Sequence, residues 1–144
     1  MSSIWFDKSI TVEKIKSLSG NSMIEHLGLE WTEIGDNYIK AKLPVDHRTK
    51  QPFGLLHGGA SCMLAETLGS YASHLVVDTA MFFCVGLEIN ANHIRSVKDG
   101  FVEGMCTPIH LGSNTHVWDI KIYDDKAKLV CISRLTVSVL KNPL

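Results

Sequence analysis

The chain has 144 residues, a formal net charge of -1, 45% hydrophobic and 20% charged residues. That length fits one domain, residues 1–144, able to bury roughly two-thirds of its unfolded surface. The near-neutral charge gives no overall basic field for nucleic acid or an anionic membrane, and no apolar run reaches the ~18 residues of a spanning helix.

The opening MSSIWFDKSITVEK lacks the apolar stretch of a signal peptide, so a cytoplasmic location is expected. Thr11–Leu18 reads as a short helix capped by Thr11, with Val12, Ile15 and Leu18 on one side. Asn21 or Ser22 caps a second short helix ending at Gly28. Leu29–Ile34 and Tyr38–Leu43 read as a hairpin turning at Gly35-Asp36-Asn37, with Ile39, Ala41 and Leu43 on the buried side. Pro44–Leu56 is a loop, and one long helix follows over Gly58–Val76. Four strands complete the chain: Phe82–Ala91, Gly100–Leu111, Thr115–Tyr123 and Leu129–Leu140. Short turns join the last three, which requires antiparallel pairing. The expected class is α+β, an antiparallel sheet of about six strands with one long helix. One helix covers only part of such a sheet, so the remaining apolar face or edge is expected to meet another copy of the chain.

Around the long helix, Leu64, Leu68, Tyr71, Ala72 and Leu75 form an apolar stripe almost opposite Glu66. The Glu66 side holds Gly59, Cys62, Met63, Gly69, Ser70 and Ser73, mostly small residues. Such a face invites close approach by a backbone or ligand, and a lone carboxylate there is a candidate acid–base group or nucleophile. A solvent-facing or structural glutamate is the plainer alternative. Gly58 and Gly59 leave the first-turn N–H groups unshielded at the positive end of the helix, a place to hold an oxyanion. Ser70, one turn beyond Glu66, is placed to orient the carboxylate or a water. His57 is either a cap or a site residue, and Gln51 alone reads as a polar loop residue.

Other chemistries lack their signatures. No G-x-S-x-G surrounds Ser61, Cys62 and His57 do not share a helical face, and no H-x-x-x-H or phosphate-binding glycine motif occurs. Cys62, Cys84, Cys106 and Cys131 are each more than twenty residues apart, which reads as reduced, mostly buried thiols. Trp5, Trp31 and Trp118, without basic interleaving, read as packing aromatics.

The segment QPFGLLHGGASCMLAETLGS (51–70) resembles the hotdog-fold acyl-CoA thioesterases, in the branch that acts on aryl and acyl thioesters and includes the 1,4-dihydroxy-2-naphthoyl-CoA hydrolases. The resemblance continues through LPVDHRTKQPFG, VGLEINANHIRS, PIHLGSNTHVWDIKIYDD and SRLTVSVL, nearly the whole chain. It implies a hotdog fold in which the sheet wraps the long helix. It also implies hydrolysis of an acyl-CoA with Glu66 as nucleophile or general base, the Gly58 N–H polarising the thioester carbonyl, His57 and Gln51 lining that hole, and Ser70 helping to position water. Gly86, His93, Ile94, Arg95, Ser96 and the turn His110, Leu111, Gly112, Ser113, Asn114 and Thr115 match coenzyme A-binding segments, with Arg95 and Ser113 suited to phosphate.

No metal or redox cofactor is implied, coenzyme A being part of the substrate. The assembly implied is a homotetramer, a dimer of dimers, whose glutamate and oxyanion-hole glycine come from different subunits. Two other functions fit such a chain: a hotdog hydro-lyase on 3-hydroxyacyl thioesters, and a non-catalytic acyl-CoA-binding module. The chain departs from its relatives at Asn114 and Thr115, where basic residues are common, and over 76–83, which is less polar here.

Overall fold

The computed structural model describes residues 2–143. Helix α1 (Val12–Ser17) starts where Thr11 Oγ1 accepts from the Lys14 N–H at 3.3 Å. Ile15 is buried, but Leu18 falls just past the last turn and is 64% exposed, contrary to the single buried side expected. Helix α2 (Met23–His26) is followed by Gly28 at φ 76, the left-handed stop that glycine permits. Ser22 takes its cap position without a side-chain bond, while the Asn21 N–H donates to Glu25 Oε2 at 2.7 Å.

Strands β1 (Glu30–Ile34), β2 (Ile39–Pro44), β3 (Phe82–His93), β4 (Phe101–Leu111), β5 (Thr115–Asp124) and β6 (Leu129–Lys141) form one sheet in the order β1-β2-β4-β5-β6-β3. Every neighbouring pair is antiparallel. The long helix α3 spans Gly58–Val76, as the sequence pattern predicts, and packs on β2 to β6. This is the hotdog arrangement.

The core follows from alternation. Ile39, Ala41 and Leu43 of β2, Val102 and Cys106 of β4, and Trp118, Ile120 and Ile122 of β5 face Leu64, Leu68 and Ala72 of α3. Burying each large aliphatic side chain contributes about 2 kcal/mol. Gly104 sets the spacing between layers, because a Cβ there would lie 2.6 Å from Leu68 Cδ1. Trp5, Trp31 and Trp118 are all buried, with the Trp5 indole N–H on Gly35 O at 2.6 Å. All four cysteines are free, and only Cys62 is partly exposed. Among the described residues no helix is long and apolar enough to cross a membrane.

Strand β3 is an edge, and its 12 residues pair only with β6. Val85, Leu87 and Ile94, along and just beyond it, are exposed. A long edge with apolar side chains is a ready surface for strand pairing.

Candidate active site

The candidate residues fall into two groups at different points along α3. At its first turn, His57 is the cap residue: its Nδ1 accepts from the Gly59 N–H at 2.8 Å, which puts the ring proton of the neutral form on Nε2. The Ala60 N–H is taken by His57 O at 2.9 Å. Among the described residues no acceptor lies on the Gly58 N–H. Every candidate role for His57 must therefore accommodate its service as a cap.

A cleft of about 320 Å³ opens beside this turn, lined by Gln51, Leu56, Gly58, His93, Arg95 and Ser96 among others. Gln51 Oε1 accepts from the Phe53 N–H, which leaves the amide NH2 as the donor available to the cleft. The His93 ring lies against Gly58, where an added Cβ would sit 2.8 Å from Nε2. Ile94 and Arg95 are exposed, and Arg95 makes no ion pair among the described residues.

Glu66 lies elsewhere. It is eight residues beyond Gly58, about 12 Å further along the helix axis at 1.5 Å per residue. Ser70 Oγ donates weakly to Glu66 Oε1 at 3.4 Å. Across from the carboxylate is Gly86 of β3, where a Cβ would collide with Oε1. Ser70 also borders an apolar cleft of about 320 Å³ formed with Leu18, Tyr71, His74 and Leu75.

The helix face around Glu66 is less open than its small residues imply. Gly69 packs against Leu135 of β6, and Ser73 is fully buried against His116 and Trp118 of β5. The backbone that approaches Glu66 closely is the chain's own β3.

The segments linked to coenzyme A by resemblance also separate. His93–Ser96 lies at the Gly58 end of β3, and Gly86 lies seven residues away, about 20 Å along the strand. His110–Thr115 joins β4 to β5 on the Gly86 side, since Thr115 pairs with Ser138 and Ser138 with Val85. Gly112 N–H donates to Thr115 O and Val139 N–H to Asn114 O, both at 2.9 Å. Ser113 and Asn114 are exposed. One chain thus joins Gln51, Gly58 and His93–Ser96 at one place, and Glu66, Ser70, Gly86 and the 110–115 turn at another.

Sequence reasoning passed over His74 and His116, and placed Leu18 only on the apolar side of α1. Strict alternation through β5 puts 116, 118, 120 and 122 on one side, so His116 was detectable as an inward-facing polar residue. Leu18 and His74 join their cleft only through tertiary packing.

The same sheet wrapped around one long helix is the fold of known thioesterases. Residues 53–131 match the thioesterase superfamily, and the chain belongs to it. It is 50% identical over 137 residues to the 1,4-dihydroxy-2-naphthoyl-CoA hydrolase of Escherichia coli, covering 95% of this chain and 99% of that one. It is 47% identical to a proofreading thioesterase of Cronobacter turicensis, covering 95% and 98% respectively. Among solved structures, a mutant thioesterase from Pseudomonas aeruginosa superposes with TM-score 0.95 at 47% identity, over 97% of this chain and 100% of that one. A thioesterase from Haemophilus influenzae gives 0.91 at 49%, over 96% and 95%.

Proposed function

We propose that this thioesterase hydrolyses an aryl- or acyl-coenzyme A, with 1,4-dihydroxy-2-naphthoyl-CoA the first substrate to try. The free Gly58 N–H is the observation that carries the reading. It is a preorganised donor at the positive end of a 19-residue helix, where charge develops on a thioester oxygen. Glu66 either attacks the carbonyl carbon or takes the proton of an attacking water. Both routes pass through an oxyanion and expel the coenzyme A thiolate; attack by Glu66 leaves an acyl-glutamyl anhydride, which water then hydrolyses to the free acid and the regenerated carboxylate. Thiolate leaves readily, so neither a second carboxylate nor a metal or redox cofactor is needed.

The partner in this reading is a second copy of the chain. Glu66 and Gly58 of one chain are too far apart to act on one carbonyl. In one register of antiparallel pairing about a two-fold, two β3 edges set Gly86 of one copy opposite His93 of the other. That pairing brings the carboxylate of one copy to the open helix start of its neighbour, and two such dimers make the expected tetramer. Supporting it are the unpaired β3 edge and its exposed Val85, Leu87 and Ile94. The apolar cleft beside Ser70 suits the acyl group, while Arg95 and the 110–115 turn suit the phosphates and adenosine. The cytoplasm is the expected setting.

The test is thiol release from a panel of aryl- and alkyl-CoA substrates by the native chain and by Glu66→Gln. The variant should lose about a thousandfold in kcat with little change in KM. Near-native turnover by a folded Glu66→Gln would remove Glu66 from the chemistry, and enoyl thioester in place of free thiol would make the enzyme a hydro-lyase.

A further inference from the structure

Ser73 and His116 are 43 residues apart, and both side chains are sealed from water, at 0% and 2% exposure. Trp118 Nε1–H donates to Ser73 Oγ at 2.7 Å. An indole nitrogen can only donate, so the hydroxyl keeps its own proton for another acceptor. His116 Nδ1 lies 3.1 Å away and is the side-chain acceptor at hand. A proton on Nε2 then completes the neutral ring. Burial, reinforced by nearby His110, pushes the His116 pKa below its ordinary value, in keeping with a neutral ring.

The pair joins two pieces of the proposed site. Ser73 is seven residues beyond Glu66, two helical turns, so both side chains leave α3 on the same side. His116 aligns with Val137 and Gly86 in one row across β5, β6 and β3, and Gly86 meets Glu66. At its other side His116 borders the 110–115 turn, whose Ser113 and Asn114 are exposed. Leu111 and His116 pair across the base of that turn, and the His116–Ser73 contact ties it to the helix layer.

We propose that His116 is a positioning residue, a buried strut that holds the coenzyme A-binding turn 110–115 against the helix carrying Glu66. The proposal rests on the reading of that turn given under the proposed function. Removing the ring leaves the Ser73 hydroxyl without its acceptor, and a loss of that kind shifts the equilibrium that keeps the turn seated by roughly tenfold.

Coenzyme A itself is the probe, titrated by calorimetry into the native chain, His116→Leu, His116→Gln and Ser73→Ala. In parallel, kcat and KM are measured on benzoyl-CoA and on the N-acetylcysteamine thioester, which lacks the nucleotide. His116→Leu should weaken coenzyme A binding and raise KM for the CoA thioester about tenfold, with a smaller change on the truncated thioester. Ser73→Ala should move the same way. His116→Gln, which can accept from Ser73, should come within about threefold of native. If His116→Leu does not fold, Ser73→Ala decides. Native coenzyme A affinity in a folded His116→Leu or Ser73→Ala overturns the proposal, as does a Gln variant no better than Leu. Binding is read without turnover, so an active Glu66→Gln would sink the catalytic reading and leave this result standing.

Discussion

The first turn of α3 and the stretch around Glu66 belong to one helix, yet they are built in opposite ways. The first turn is open: the Gly58 N–H is free, and the cleft beside it is bordered by side chains from Gln51 to Ser96. The Glu66 stretch is packed by its own sheet, with Gly86 against the carboxylate, Leu135 against Gly69, and His116 and Trp118 against Ser73. An open donor needs only space for the substrate oxygen. A carboxylate that must meet a carbonyl carbon needs its position fixed, and packing fixes it. In the proposed reaction these ends become two unlike half-sites, about 12 Å apart along the helix, which serve one substrate only across two copies.

Changes at the two ends should break this contrast in different ways. Gly86→Ala brings a Cβ too close to Glu66 Oε1, and the carboxylate must move. A shift near 1 Å in such a group costs about a hundredfold, so kcat should fall by that order while the melting temperature changes little. Native kcat in this variant would show that the carboxylate position is not set by β3. At the open end, Gly58→Val crowds the free N–H and displaces the exposed His93 ring. Loss of one oxyanion donor predicts a fall in kcat of about a hundredfold, and a change confined to KM would mean the cleft binds without polarising the carbonyl.

The smallest effect concerns the loop that supports the open end. His57 N–H donates to Thr49 O at 2.8 Å, and Thr49 belongs to a turn headed by Asp46. Side-chain and backbone bonds from Arg48 hold the Asp46 pKa at about 2, down from 3.8. A depressed folded-state pKa gives stability that is present above about pH 4 and lost as pH falls toward 2. This carboxylate is close to the surface, so solvent screens the contribution to a small value. Melting curves of the native chain and Asp46→Asn should differ slightly at pH 6 and converge near pH 2. A constant gap across that range would assign the effect to something other than the charge.

The open end was largely legible in the sequence, because its parts are local. His57-Gly58-Gly59 announces a helix start, and the Gly58–Val76 bounds follow from periodicity and flanking residues. Strand alternation likewise located β2 and its buried residues Ile39, Ala41 and Leu43. The packed end was legible only in part. Gly69 and Ser73 are small for the reason inferred, close approach, but the approaching atoms belong to β6 and β5 of the same chain. Nothing local states that β3 pairs with β6, so the contact of Gly86 with Glu66 and the separation of Gly86 from His93–Ser96 required the sheet register. Leu18 shows the same limit: a helical repeat placed it with Ile15, but α1 stops one residue short of it. Site roles came from resemblance, because a glutamate on a face of small residues has structural uses too.

In the proposed site, Glu66 of one copy works with the Gly58 end of another. Glu66→Gln and Gly58→Val chains, each nearly inactive, can be mixed in equal amounts, unfolded and refolded together. Half of the dimers are then mixed, and each mixed dimer holds one intact site of two, so activity should return to about a quarter of native. If the mixture shows only the summed activity of its two inactive parents while forming mixed dimers, the site does not span two copies and the account is wrong.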